Sequence, residues 1–131
     1  MDEQKIPIAH LFVIEDDDEE RVLLLSELKA NGKGIDVRFF SDVYELIDLY
    51  KTHQQHSLPS LILLNAIMPK MDIGQAIDLI KGVQELRTVP LVVMIAAKSE
   101  KKFMRLKNLN VSGYVKKPIK LQILKRFLGI R

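Results

Sequence analysis

The sequence predicts an α/β fold in which helices cover both faces of a five-stranded parallel sheet. Short, continuously apolar runs such as Leu61–Leu64 alternate with segments whose apolar residues recur at helical spacing. Strands that are apolar on both faces need cover on both faces, which is the arrangement of a doubly wound parallel sheet. The 131 residues, 47% of them hydrophobic, are enough for one domain with a sizeable core.

The first half of the chain predicts two strands, each followed by a helix. Ile8–Ile14 is an apolar run that stops at a series of acids and predicts the first buried strand. Asp18–Asn31 has apolar residues at helical spacing and ends at an Asn-Gly stop signal, so it predicts the first helix. Ile35–Phe40 predicts the second strand. Ser41 is a good N-cap for a second helix that runs to about Lys51.

The second half of the chain continues this alternation with three more strands and three more helices. The predicted strands are Leu61–Leu64, Leu91–Ala96 and Tyr114–Val115. The predicted helices are Ile73–Leu86, a basic helix Ser99–Leu109, and Lys120–Ile130. In doubly wound folds the functional site lies at the carboxyl ends of the strands, near the point where the strand order reverses. The polar residues just beyond the strand ends are therefore the candidates.

The composition excludes several functional classes. The chain has no cysteine, which excludes disulfides, thiolate metal sites and cysteine nucleophiles. No apolar run approaches the ~20 residues that span a bilayer, and the polar N-terminus lacks the features of a secretory signal. We therefore expect a cytoplasmic protein without membrane association. Gly32 and Gly34 precede a strand rather than a helix, so they do not form the phosphate-binding loop of a nucleotide enzyme.

Charge is divided unevenly along the chain, although the net charge is only +3. Residues 1–97 carry 9 Lys or Arg against 16 Asp or Glu, whereas residues 98–131 carry 11 Lys or Arg against one acid. This division predicts an acidic site and a separate basic surface. The predicted basic surface consists of Lys98, Lys101, Lys102, Arg105, Lys107, Lys116 and Lys120.

Acidic, amide and basic side chains follow three of the predicted strands. Six consecutive acids, Glu15–Glu20, follow the first strand, Asn65 follows the third, and Lys117 follows the fifth. Parallel strands bring these positions to one edge of the sheet. Clustered carboxylates suit Mg²⁺, which takes only a few protein ligands. The alternative interpretation of the acids is a solvated turn that opens the first helix, where negative charge is favourable.

Three motifs, in order, resemble those of the response-regulator receiver domain, the phospho-acceptor half of two-component signalling. The first is Phe12–Asp17, with Arg21 five residues after the second acid of its Glu-Asp pair. The second is Leu61–Gly74, which contains Met-Pro and Met-Asp pairs, and the third is Gly113–Pro118. The resemblance covers residues 8 to 130 and implies a flavodoxin-like (βα)5 receiver fold. It predicts that residues 1–131 are a single stand-alone receiver-like domain with no output domain.

The resemblance assigns roles to five residues at the predicted site. The family's acid pair falls on Glu15 and Asp16, which implies a metal site. Its switch aromatic falls on Tyr114 and its active-site lysine on Lys117. Pro118 follows that lysine, at a position where the family often has a cis peptide bond. The basic surface coincides with the fourth helix, fifth strand and fifth helix, which form the usual output surface of the family.

Two positions depart from the family pattern. The phospho-acceptor aspartate, four residues before the proline of the Met-Pro pair, falls on Asn65. The hydroxyl residue at the end of the fourth strand falls on Ile95 or, in another register, on Ala96. A neutral carboxamide cannot form an acyl phosphate, and it also removes one negative charge from the metal site. We therefore expect a degenerate receiver that binds Mg²⁺ weakly, needs no other cofactor and does not accept phosphate on residue 65.

The resulting functional prediction is a signalling domain that acts by protein–protein contact and is not an enzyme. The expected partner is an acidic protein, such as a histidine kinase or another signalling protein. Formation of a homodimer is also compatible with the sequence. The alternative is a small flavodoxin-like electron carrier or hydrolase, which the acidic loop after the first strand disfavours. A DNA-binding protein that uses the basic surface is the third hypothesis, disfavoured because no nucleic-acid-binding module follows Arg131.

Overall fold

The computed structural model describes residues 8–31, 34–51, 57–104 and 109–130. The strands are β1 (Ala9–Ile14), β2 (Ile35–Phe40), β3 (Leu61–Asn65), β4 (Leu91–Ile95) and β5 (Gly113–Lys116). The helices are α1 (Asp18–Asn31), α2 (Val43–Lys51), α3 (Ile73–Lys81), α4 (Glu100–Met104) and α5 (Leu121–Leu128). Short 3-10 turns occupy Gln84–Leu86 and Ala97–Ser99. None of the helices in the described part of the chain has the length and apolar character that a bilayer crossing requires.

The five strands form one parallel sheet in the order β2-β1-β3-β4-β5. This confirms the predicted doubly wound α/β fold. The chain moves outward from β1 to β2 and then returns to the other side of β1 with β3, so the strand order reverses between β1 and β3. Ile14, the last residue of β1, pairs with Leu64, and Asn65 pairs with Met94 of β4. The carboxyl ends of the central strands therefore lie level with one another at the expected place for a site.

The core has two layers because successive side chains of each strand point to opposite faces of the sheet. One layer packs beneath α2 and α3 and includes Phe12, Leu64 and Ile95. The other packs beneath α1 and α5, with contributions from Leu24 of α1 and Leu124 of α5. Burial on both faces explains why the central strands read as continuous apolar runs.

Four predicted helix ends are wrong. The last helix, predicted to reach Ile130, ends at Leu128, where Gly129 caps it in the left-handed conformation. The N-cap of α2 is Asp42, not Ser41, because the Asp42 carboxylate accepts the backbone N–H of Glu45 at 2.8 Å. The helix predicted to reach Leu86 ends at Lys81, where Gly82 caps it and Val83 turns extended. The helix predicted over Ser99–Leu109 begins at Glu100 after a 3-10 turn. Residues 105–108 lie outside the described residues, and residue 109 is not helical.

The start of α3 generates a stability prediction. The Asp72 carboxylate accepts the backbone N–H of Gln75 at 2.8 Å, and the Gln75 side chain accepts the backbone N–H of Asp72 at 3.1 Å. This reciprocal capping box satisfies two donors that the helix itself cannot. Asp72→Ala should lower the free energy of unfolding by about 1 kcal/mol. Urea unfolding of the variant measures the loss.

Asp78→Ala is the matched control, because Asp78 lies on the exposed face of the same helix. It should change the free energy of unfolding by less than about 0.5 kcal/mol. Equal losses in the two variants would contradict the capping role of Asp72.

Candidate functional site

The centre of the site is Glu15, the first residue after β1 and only 2% exposed. One carboxylate oxygen, Oε1, accepts a hydrogen bond from Nζ of Lys117 at 2.7 Å. The other, Oε2, accepts from Nδ2 of Asn65 at 3.1 Å and from the backbone N–H of Asp17 at 3.3 Å. The buried carboxylate therefore has a cation on one oxygen and two neutral donors on the other. We call Glu15, Asn65 and Lys117 the Glu-Asn-Lys cluster.

The sheet fixes the three members of this cluster. The backbone N–H of Glu15 donates to the carbonyl of Phe40 at 3.0 Å, which extends the β1–β2 pairing by one residue. The backbone N–H of Lys117 donates to the carbonyl of Ile95 at 2.9 Å, which extends the β4–β5 pairing in the same way. Asn65 is the last residue of β3. Residues that are 50 and 102 positions from Glu15 in the chain thus meet it at one sheet edge.

The Asn65 amide acts as a donor on both of its contacts. Besides Glu15, Nδ2 donates to the backbone carbonyl of Ile67 at 3.1 Å, in the loop after β3. Both partners are acceptors, so only the NH₂ end of the carboxamide satisfies them. An ionised aspartate could make neither contact, because a carboxylate only accepts hydrogen bonds.

The six acids after β1 have separate surroundings. Glu15 is buried, whereas Asp16 is exposed. The Asp17 carboxylate accepts the backbone N–H of Glu20 at 3.0 Å and so caps α1. Glu20 lies 3.9 Å from Nζ of Lys117. The helix-opening interpretation thus accounts for Asp17, and the functional interpretation is confined to Glu15 and its neighbours.

The described residues offer few protein ligands to a Mg²⁺ ion. No group of three acidic or histidine side chains that could hold a metal occurs among the described residues. Both oxygens of Glu15 already accept hydrogen bonds from Lys117 and Asn65, and Asp16 is exposed. The predicted metal pair, Glu15 and Asp16, is thus adjacent in sequence but divided between the interior and the surface.

The remaining predicted site residues lie at the ends of β4 and β5. Ile95 is 2% exposed and packs in the core. Ala96 follows it at the partly exposed strand end, and neither side chain carries a hydroxyl. Tyr114 is 37% exposed on β5. The peptide bond between Lys117 and Pro118 is cis.

Arg21 is a site residue whose role the sequence did not reveal. Its Nε donates to the backbone carbonyl of Glu15 at 2.6 Å, and a terminal guanidinium nitrogen donates to Oγ of Ser41 at 3.2 Å. The guanidinium also lies over the ring of Phe39, 5.2 Å from its centroid. Arg21 therefore fixes the loop that presents Glu15. The motif spacing marked its position but could not reveal these contacts.

The described part of the predicted basic surface is exposed. Its members are Lys98, Lys101, Lys102, Lys116 and Lys120. Lys116 forms an exposed ion pair with Glu100 at 3.3 Å. Arg105 and Lys107 lie outside the described residues.

The doubly wound sheet brings a buried acid and a lysine together near the point where its strand order reverses, in agreement with the resemblance found in the motifs. The family model of the response regulator receiver domain matches residues 11–128, and the chain belongs to that family. Receiver domains of this family are two-component signalling domains. The chain is 26% identical to a probable methanogenesis regulatory protein, FilR2, of Methanothrix harundinacea, over 88% of this chain and 76% of that protein.

Solved structures of response regulators and receiver domains share the fold. The bacteriophytochrome response regulator AtBRR is 24% identical, with a TM-score of 0.75 over 97% of this chain and 95% of that one. The receiver domain of the sensor histidine kinase PA1611 of Pseudomonas aeruginosa is 20% identical, with a TM-score of 0.73 over 92% of this chain and 98% of that one. That structure has a magnesium ion coordinated in its active site cleft.

The two consecutive lysines after Val115 generate a stability prediction. Lys117 pairs with Glu15, and the two side chains are only 14% and 3% exposed. Lys117→Ala leaves an uncompensated buried carboxylate and should cost about 3 kcal/mol of unfolding free energy. Lys116→Ala, the control, removes an exposed ion pair and should cost less than about 1 kcal/mol. Chemical denaturation measures both.

A double variant separates the charge from the packing. Glu15→Gln in a Lys117→Met background removes both charges and should recover much of the stability lost in Lys117→Ala. Similar losses of unfolding free energy in Lys117→Ala and Lys116→Ala would show that the buried pair does not support the fold.

Proposed function

We propose that this receiver domain is a pseudo-receiver, which signals by protein–protein contact and does not accept a phosphoryl group on residue 65. The observation that carries the proposal is the pair of hydrogen bonds donated by the Asn65 amide to Glu15 and to Ile67. The position that resembles the phospho-acceptor is thus a neutral donor engaged in holding the site together.

Phosphoryl transfer needs an oxygen nucleophile in line with the phosphorus of the donor. A carboxylate supplies one, whereas the carboxamide of Asn65 is neutral and its nitrogen lone pair is delocalised into the carbonyl. Transfer to Asn65 therefore has no nucleophile, whatever the other site residues do.

The means of conformational coupling is absent as well. The resemblance places a hydroxyl residue at the end of β4, where Ile95 and Ala96 stand. A methyl or an aliphatic side chain offers no hydrogen bond to a phosphoryl group. Asn65 by itself removes only the phosphoryl acceptor. Because Ile95 and Ala96 also lack the hydroxyl that would bind the phosphoryl group, the combination supports a domain that does not use the phosphorylation switch.

Binding of Mg²⁺ by this chain should be weak. The related PA1611 receiver domain coordinates Mg²⁺ in its cleft. Here Glu15 is engaged by Lys117 and Asn65, and the neutral amide contributes no charge to a cation. These donors compete with a magnesium ion for the lone pairs of the Glu15 carboxylate.

The pseudo-receiver has no catalytic role in this proposal, and a cytoplasmic location remains a prediction from the sequence. An electron carrier or hydrolase on the same topology is set aside, because the chain belongs to the receiver family.

The basic surface is the proposed contact with an acidic protein partner, a histidine kinase or another signalling protein. Lys98, Lys101, Lys102 and Lys120 are exposed, and the segment 98–131 holds a single acid, Glu100. Complementary charge speeds encounter and selects partners more than it adds affinity. Binding should therefore weaken as salt is raised.

The phosphorylation proposal predicts the outcome of incubation with acetyl phosphate in the presence of Mg²⁺. The protein as it stands should gain no base-labile phosphoryl group at residue 65. Asn65→Asp supplies a carboxylate beside Glu15, which Lys117 also contacts, and should gain one phosphoryl group. Intact-mass measurement gives the result, and Asn110→Asp, at an exposed position, is the control for the added charge.

Labelling of the unsubstituted protein has to be checked for deamidation of Asn65, which creates the aspartate spontaneously. Stoichiometric phosphate on an intact Asn65 chain would overturn the pseudo-receiver proposal.

The basic-surface proposal predicts that charge reversal weakens partner capture. The Lys101→Glu/Lys102→Glu variant should retain its fold and lose most of its partner in a pull-down from the source cells. The control, Lys51→Glu/Lys70→Glu, makes the same change in net charge at exposed positions elsewhere. Undiminished capture by the first variant would rule out this surface, and capture of random duplex DNA instead of protein would favour the DNA-binding alternative.

A further inference from the structure

The outer edge of β2 is a strand edge that the receiver site does not use. Within the described part of the chain, β2 pairs with β1 alone, because it is the first strand in the sheet order. The carbonyls of Gly34 and Phe40 accept backbone hydrogen bonds on the β1 side, at 2.7 and 3.0 Å. Backbone groups alternate in direction along a strand, so the N–H and carbonyl groups of Ile35, Val37 and Phe39 point outward.

This edge is regular and carries charge of both signs. Its register with β1 is continuous from Ile35 to Phe40, and no proline interrupts it. Asp36 lies 3.4 Å from the ring nitrogen of His10, yet its side chain is 64% exposed. Arg38 is also exposed, with its guanidinium over the ring of Phe40, 5.2 Å from the centroid. Charges on an edge strand repel or attract a second strand according to the order in which they meet.

We propose that the occupant of this edge is β2 of a second copy of the chain, paired antiparallel about a twofold axis at Val37. Each Val37 then faces the partner's Val37, and each Ile35 faces the partner's Phe39. The outward backbone groups of these residues supply the hydrogen bonds of the new ladder. Asp36 faces the partner's Arg38 at positions without backbone hydrogen bonds, where opposite side chains lie closest.

The order of charge selects this register. Hydrogen bonds across the new edge can join only residues whose backbone groups point outward, so the axis can move only in steps of one residue. An axis at Asp36 would set two aspartates together, and an axis at Arg38 would set two arginines together. A parallel partner in register would also set like charges together. Of these arrangements, only the axis at Val37 joins opposite charges twice.

The apolar face of β2 supports the same pairing. Ile35, Val37 and Phe39 are partly buried against the core layer beneath α1 and α5, and a second strand would cover more of their surface. The contact is self-complementary, as a twofold interface requires. It is also small, so the dimer should be weak, with a Kd on the order of 0.1 mM. It involves neither the Glu-Asn-Lys cluster nor the basic surface and goes beyond the proposed function, so failure of one proposal leaves the other intact.

Sedimentation analysis of the full chain up to about 1 mM tests the proposal. Asp36→Arg sets arginines against arginines, and Arg38→Asp sets aspartates against aspartates. Each single variant should show a Kd at least about tenfold higher than that of the unsubstituted chain. An equimolar mixture of the two variants should recover association, because both cross-strand pairs then join opposite charges.

Amide exchange locates the contact. In the unsubstituted chain, the outward amides of Ile35, Val37 and Phe39 should exchange more slowly as the concentration rises from about 20 μM to about 1 mM. Val37→Pro removes one outward N–H and leaves the hydrogen bonds to β1 in place, so this variant should stay monomeric.

Circular dichroism establishes that each variant is folded. Asp78→Arg and Lys70→Asp make the same charge changes at exposed positions outside β2 and should associate like the unsubstituted chain. Recovery in the mixture, with slowed exchange at the outward amides of β2, supports the strand pair. The proposal is overturned by a chain that stays monomeric at about 1 mM, by single variants that associate like the unsubstituted chain, by a mixture no better than its components, or by slowed exchange only outside β2.

Discussion

The buried carboxylate of Glu15 is the constraint on which this site depends. A carboxylate that is 2% exposed is costly unless charged and neutral donors replace the water it has lost. Lys117 supplies the compensating charge, and Asn65 and the backbone of Asp17 supply the neutral donors. No buried side-chain nitrogen or oxygen among the described residues lacks a partner. The ends of β1, β3 and β5 are thus tied by one hydrogen-bonded group.

The same three contacts support the proposed pseudo-receiver, because they satisfy the Glu15 carboxylate with the protein's own groups. A second carboxylate at position 65 would face Glu15 as a like charge, and such a pair needs a cation. The amide removes the repulsion and adds a hydrogen bond, so the cluster is satisfied by the protein's own groups. In the proposed pseudo-receiver, Asn65 is a structural link between the ends of β3 and β1.

Periodicity was sufficient to predict the sheet. The central strands β1, β3 and β4 are continuous apolar runs because they are buried on both faces, whereas the edge strands β2 and β5 are exposed at alternate residues. Helix ends were harder to predict, since Ser41 and Asp42 are both good caps and only the chain geometry selects Asp42. The site was predicted in part. The motifs identified Glu15, Asn65 and Lys117, but the donor role of Asn65 and the contact of Arg21 with the Glu15 carbonyl depend on pairings that no local pattern encodes.

The central claim is that the protein's own donors take the place of a metal ion at Glu15. Titration with Mg²⁺, followed through the backbone amide signals near Glu15 and Asp16, tests this claim most directly. The account predicts no saturation at micromolar Mg²⁺ in the protein as it stands and tighter binding in Asn65→Asp, where a carboxylate replaces the amide donor. Saturable micromolar binding by the unsubstituted protein would contradict it.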